Sequence, residues 1–174
     1  MLSISFLNRL FGSTPDPREQ WRPLWHRIVE EAREPDYYRM CGVADTIEGR
    51  FDMVTLVLSI VLMRMEDNSE LRAHTALVTE LFIEDMEGQL REAGIGDPTV
   101  GKKIGKLMSS MGGRLGAYRT AIDAGNRAGF AEALRRNVTL AQEDEAYSLA
   151  ERMMRLDARL ERTSADQLRA GEFS

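Results

Sequence analysis

The sequence predicts an all-α fold: a single helical domain of about six helices with no β-sheet. Apolar residues recur at three- and four-residue steps through most of the chain, and no segment alternates between apolar and polar as a half-buried strand does. Helix cap and stop signals bracket the periodic stretches.

Composition narrows the functional classes. The 174 residues hold 23 Lys and Arg against 28 Asp and Glu, a net charge of −5, and 43% are apolar. A chain of this size can bury roughly 70% of its unfolded surface, so its core needs no disulfide or metal staple. The acidic total argues against broad non-specific nucleic-acid binding. Cys41 is the only cysteine, which excludes an internal disulfide or a CxxC site and fits a reducing compartment. His26 and His74 are the only histidines, which removes His-rich zinc and haem-ligand patterns. No apolar run reaches the roughly 18 residues of a transmembrane helix.

Residues 1–17 form an amphipathic segment and a linker. Leu2, Ile4, Phe6, Leu7, Leu10 and Phe11 cover an arc of roughly 200° on a helix. The segment either lies in the lipid headgroup region, with Leu2, Phe6, Leu7, Leu10 and Phe11 as membrane contacts, or docks on the domain. Pro15 and Pro17 then bias the chain away from helix.

The helical domain spans 18–162. Its first helix, over 18–33, carries Trp21, Leu24, Trp25, Ile28, Val29 and Ala32 on one face. A break at Glu34, Pro35 and Asp36 leads into an aromatic piece at 37–40. A helix over 46–65, capped by Asp45 or Thr46, is almost wholly apolar from 53 to 63 and is the expected buried centre. Asn68 or Ser69 caps the next helix, which stops at Gly94. A further helix over 99–124 contains five glycines, and the four-residue spacing of Gly101 with Gly105 and of Gly112 with Gly116 suggests close approach to another helix or a kink. Helices at 127–138 and 143–162 precede a polar tail at 163–174.

Motifs for chemistry are incomplete. Gly96 to Lys103 matches GxxxxGK, but Lys103 stands where a phosphate loop needs Ser or Thr, and the stretch follows a helix instead of a strand. Glu80, Glu84, Asp85 and Glu87 cluster without the Glu-x-x-His pairs of two-metal bundles. Glu70 and His74 read as a solvated pair one turn apart, and nothing brings Cys41 and His26 together as nucleophile and base. The reading is therefore non-enzymatic, with no cofactor and no metal. The informative asymmetry is a strip at 98–122 with Lys102, Lys103, Lys106, Arg114 and Arg119 and no acid. It either meets an acidic partner or is a solvated face balanced by the acidic helix before it. Without interleaved aromatics it does not read nucleic-acid sequence.

The ordered blocks Tyr37-Tyr38, Gly42-Val43-Ala44-Asp45-Thr46, Gly49-Arg50-Phe51-Asp52, Leu81 to Glu87, Leu90-Arg91-Glu92 and Gly94-Ile95-Gly96-Asp97 resemble the ubiquinol-cytochrome c chaperone family. The similarity continues through Val100-Gly101-Lys102-Lys103, Gly113-Arg114, Ala117-Tyr118 and Ala133 to Asn137, and covers about residues 21–150. The resemblance implies a mainly helical assembly factor of the cytochrome bc1 complex whose partner is cytochrome b, newly made or unassembled. Mitochondrial members act near the ribosomal exit and inner membrane, so ribosome and peripheral membrane contacts are further implied partners. The chain lacks their long N-terminal extension and resembles a bacterial member, expected in the cytoplasm at the inner face of the membrane. Combined with the basic strip, the blocks nominate Arg50, Phe51, Asp52, Asp85, Arg91, Asp97, Lys102, Lys103, Lys106 and Arg114 as protein-binding residues. Arg50 and Asp52 either form pairs or rim an apolar groove, and the ten methionines suit an adaptable groove or a plain core. The competing reading is a helical membrane-surface adaptor or regulator unrelated to respiratory assembly. Because the phosphate-loop match lacks its magnesium hydroxyl, calorimetry with magnesium and ATP at micromolar concentration should show only heat of dilution.

Overall fold

A computed structural model describes residues 15–173. The amphipathic segment with its candidate membrane contacts lies outside the described residues. Helices α1 (Arg22–Ala32), α2 (Pro35–Arg39), α3 (Ile47–Asp67), α4 (Thr75–Glu92), α5 (Asp97–Asp123), α6 (Arg127–Asn137), α7 (Ala146–Glu161) and α8 (Ala165–Arg169) follow in chain order. Among the described residues there is no strand or sheet, only one isolated antiparallel bridge between Val43 and Leu140. No helix among them is long and apolar enough to cross a membrane.

The fold is assembled around α3. Every residue from 53 to 63 is buried, because α1, α4, α5 and α7 pack around this helix. The two polar side chains inside that stretch cause no penalty: the Thr55 hydroxyl donates to the Phe51 carbonyl at 3.0 Å and the Ser59 hydroxyl to the Thr55 carbonyl at 2.7 Å. Thr46 is the cap, its hydroxyl accepting the Gly49 N–H at 3.1 Å. The expected Asn68 cap is displaced. Its side chain accepts the Glu70 N–H at 2.8 Å in a local turn, and a 3₁₀ turn at Arg72–His74 leads into α4.

Two loops are tied together on the far side of α3. The Ala44 N–H donates to the Thr139 carbonyl at 3.0 Å, and the Ala141 N–H to the Gly42 carbonyl at 2.8 Å. Gly42 has φ +71°, and a Cβ there would lie 2.5 Å from the Gln142 carbonyl oxygen, so both its conformation and its crowding demand glycine.

Residues 163–173 differ from the polar tail that composition suggests. Ser164 and Gln167 form a capping box at the start of α8. Leu168 and Phe173 are each 2% exposed, and the Arg27 guanidinium lies 4.8 Å from the Phe173 ring centre. The polar residues of this stretch face outward while its few apolar ones close over α1, so average polarity concealed the packing.

At Gly49 a Cβ would stand 2.0 Å from the Ala44 carbonyl oxygen, a backbone atom that cannot swing away. Gly49→Ala should therefore destabilise the fold by about 1–3 kcal/mol. The expected readout is a lower urea midpoint with an unchanged slope.

Candidate functional site

The basic strip divides into two parts with different surroundings. Arg114 and Arg119, in the second half of α5, turn toward α3. Arg114 meets Asp52 at 3.0 Å, and Arg119 spans Glu66 at 2.6 Å and Asp67 at 3.1 Å. Lys102, Lys103 and Lys106, in the first half, are exposed and take part in none of the ion pairs among the described residues. Of the acids near the start of α5, Glu87 of α4 and the adjoining Asp97 are held by Arg91 at 3.2 and 3.1 Å. A cationic patch thus faces outward on a chain of net negative charge.

The α5 glycines lie beside that patch. At 100° per residue Gly101, Gly105, Gly112 and Gly116 share an arc of about 60°, with Met108 and Leu115 along one edge and Lys102 and Lys106 beyond the other. A Cβ built on any of them, or on Gly113, would meet nothing within 4 Å. The close helix approach suggested by their spacing is therefore absent among the described residues. Nor do Gly112 and Gly113 break the helix, which runs unbroken from Asp97 to Asp123. Each such glycine costs a helix about 1 kcal/mol relative to alanine, and no packing among the described residues offsets that cost. The result is a long, smooth backbone surface bordered by half-buried Met108 and Leu115.

The other sequence candidates occupy varied settings. Arg50 pairs with Asp45 at 2.7 Å on the surface. Phe51 is half-buried, its ring centre 6.4 Å from that of Phe82, and Ile47 one turn earlier is 85% exposed. Asp52 is buried and uses both oxygens: Oδ1 accepts from Arg114, and Oδ2 accepts the Thr139 N–H at 3.0 Å and hydroxyl at 2.8 Å. Asp52 and Arg114 therefore serve the interior, joining α3, α5 and the loop after α6. Asp85 lines a cavity of about 550 Å³ between α1 and α4, floored by Trp25, Val29 and Leu81. The Gly96 to Lys103 stretch is a turn and the first turns of α5, following helix α4.

Cys41 is 1% exposed, and burial pushes its thiol upward. His26 stands exposed on α1, so the two do not form a nucleophile and base. His74 stacks on Trp21 at 5.1 Å. Among the described residues no group of three or more His, Cys, Asp or Glu could hold a metal ion.

A second cluster escaped sequence reading. Arg152, Arg155 and Arg159 recur at i, i+3 and i+7 on α7, and Arg27 faces them from α1 around a cavity of about 440 Å³. Glu31, 4% exposed, sits among them. The Tyr37 hydroxyl donates to it at 2.6 Å. Burial first, and then the Glu31 charge, raise that phenol well above its usual range, so it remains a donor at neutral pH. The helical spacing was available in the sequence, but the pairing of α1 with α7 was not.

The structure defines a class: an all-helical domain with a cationic, glycine-lined helix face directed outward. The chain belongs to the ubiquinol-cytochrome C chaperone family, which it matches over residues 39–174. It is also similar to a crystal structure of the Cbp3 homolog from Brucella abortus, with 32% identity and a TM-score of 0.79 over 99% of this chain and 96% of that one. No curated protein matches the chain. The family match reaches further toward the C-terminus than the sequence blocks do, in agreement with the packing of α8 into the domain.

Because no described residue would crowd a Cβ at these positions, Gly101→Ala and Gly105→Ala should each raise stability by about 1 kcal/mol. A thermal melt of the double variant should shift upward. A downward shift would reveal a packing partner for this face.

Proposed function

We propose that the chain is an assembly chaperone of the cytochrome bc1 complex that holds cytochrome b, newly made or unassembled, by binding alone. The outer face of α5 and the apolar surface around Phe51 form the contact. What supports this reading is the patch of Lys102, Lys103 and Lys106, without ion pairs among the described residues and beside the glycine strip, in a member of this chaperone family. A membrane-protein client offers apolar helices and polar connecting loops. Glycines let a helix approach α5 closely, Met108 and Leu115 offer apolar contact along one edge, and the lysines attract acidic loop residues.

The sequence candidates take distinct roles in this proposal. Lys102, Lys103 and Lys106 provide electrostatic complementarity, and Phe51 provides apolar surface. Arg50 and Asp85 lie on the surface beyond them. Arg91 and Asp97 fix the turn from which α5 starts, while Asp52 and Arg114 hold α5 in place. The amphipathic residues 1–12 add peripheral contact with the cytoplasmic face of the membrane, near the site of client synthesis at the ribosome.

Deleting the gene should lower both cytochrome b haem absorbance and assembled bc1 complex in the membranes, and normal levels of both would eliminate the proposed function. Changing Lys102, Lys103 and Lys106 together to Glu should reduce co-purification of cytochrome b. The melt should hardly move, since exposed substitutions usually cost under about 0.5 kcal/mol. Undiminished capture by the folded variant would remove the lysines from the contact and leave the surface around Phe51.

A further inference from the structure

The hairpin of α4 and α5 is tied to the rest of the domain by polar contacts at two points. On α4 the last tie is Glu84, which accepts from Arg18 at 3.0 Å. On α5 it is Arg114, which donates to Asp52 at 3.0 Å. Between these points, among the described residues, no side chain hydrogen-bonds or pairs with an element outside the hairpin: Arg91 joins Glu87 and Asp97, and the Gln89 amide reaches Asp85 at 3.5 Å on its own helix. Packing thins in the same place. No residue from 87 to 99 is buried, and Val100, Ile104 and Met111 are the buried side chains of α5 before Arg114. On the α1 side, Gly88, Gln89 and Glu92 border the cavity of about 550 Å³. Beyond Arg114 the helix is held firmly, with the Tyr118 ring 5.5 Å from that of Phe130 and Arg119 on Glu66 and Asp67.

Glycines stand just inside both ties: Gly88 one turn after Glu84, and Gly112 with Gly113 directly before Arg114. None of the three has a left-handed φ, and a Cβ on any of them would meet nothing within 4 Å among the described residues. Neither conformation nor packing there demands glycine. What glycine supplies in a helix interior is low resistance to bending and unwinding. We propose that the hairpin end, residues 88–113, is a jaw that opens about Gly88 on one arm and Gly112–Gly113 on the other. The Arg91 contacts to Glu87 and Asp97 keep its tip together as it moves. Opening uncovers buried Val100 and Ile104 with half-buried Leu90 and Ile95, so the closed jaw shields from solvent an apolar surface that a client requires. Segments with few buried contacts and weak ties are those that open first in a folded protein. What enters the jaw rests on the function proposed above, an apolar helix of cytochrome b that binds the open form and shifts the population toward it. The opening itself does not depend on that reading.

The test is amide hydrogen exchange of the full chain without client. Amides over 88–112 should exchange at least about tenfold faster than those of 78–86 and 118–123. The triple variant Gly88→Ala, Gly112→Ala, Gly113→Ala should slow exchange over 89–111 by at least about tenfold, since alanine resists unwinding at each hinge. Thr120→Ala, an exposed change in the firmly held half of α5, should leave those rates as in the wild type. A thermal melt verifies folding, and Gly112→Ala alone, expected to slow exchange about fivefold, decides the matter if the triple variant unfolds. Equal exchange along both helices would overturn the jaw. So would rates at 97–104 that ignore the hinge changes, the result of simple fraying from the tip, or equal slowing by Thr120→Ala. The folded triple variant should also co-purify less cytochrome b, because binding that needs the open form weakens with its population. Undiminished capture would overturn the part of the jaw in client binding. Failure of the proposed function would instead show as normal bc1 complex after gene deletion, with the exchange result intact.

Discussion

An apolar helix without a solvent face, α3, is the constraint on which this structure depends. A helix with an apolar stripe needs a partner on one side, but the run from 53 to 63 must be covered all round. α1, α4, α5 and α7 supply that cover, and each spends its own apolar stripe in doing so. Their outward faces are left polar, so charge distribution and small residues, more than exposed apolar area, distinguish one surface from another.

Ion pairing reinforces this division. Asp52, Glu66 and Asp67 on α3 capture Arg114 and Arg119 of α5, and Arg64 forks onto both oxygens of Asp157 on α7. Arginine suits such partly buried, multidentate work. The three lysines of α5, compact charges on flexible stems, stay in solvent. One acid-free strip in the sequence is therefore two features in space: an arginine half that fastens α5 to the core and a lysine half directed away from it.

The long helices were legible because their apolar periodicity and terminal signals agree, as Thr46 and Gly94 show at the start of α3 and the end of α4. Smaller elements were not. Asn68 suits a cap and a turn equally well, and only the packing of the following 3₁₀ turn decides between them. α8 is too short to display a period, although the Ser164-x-x-Gln167 capping box marked its start. The α5 glycines exposed a limit of spacing arguments: small residues four apart identify a surface that permits close approach but not whether anything approaches it. At the candidate site the lysines could be named from sequence. The inward turn of Arg114 and Arg119, the Thr139 bonds to Asp52 and the arginine cavity all depend on contacts between distant parts of the chain.

The docking of α8 has a consequence for how the protein is made. The Gly171 backbone packs so closely on the Pro23 carbonyl that a Cβ would stand 2.6 Å from its oxygen, and Arg169 lies 5.3 Å from the Trp21 ring centre. The first helix of the described fold is thus completed by the last. During synthesis one side of α1 must wait for some 140 further residues to emerge, roughly 7–30 s at ordinary rates of translation. Until then Trp21 lacks its final cover, and the nascent chain remains an open form that closes only once α8 and Gly171 have left the ribosome.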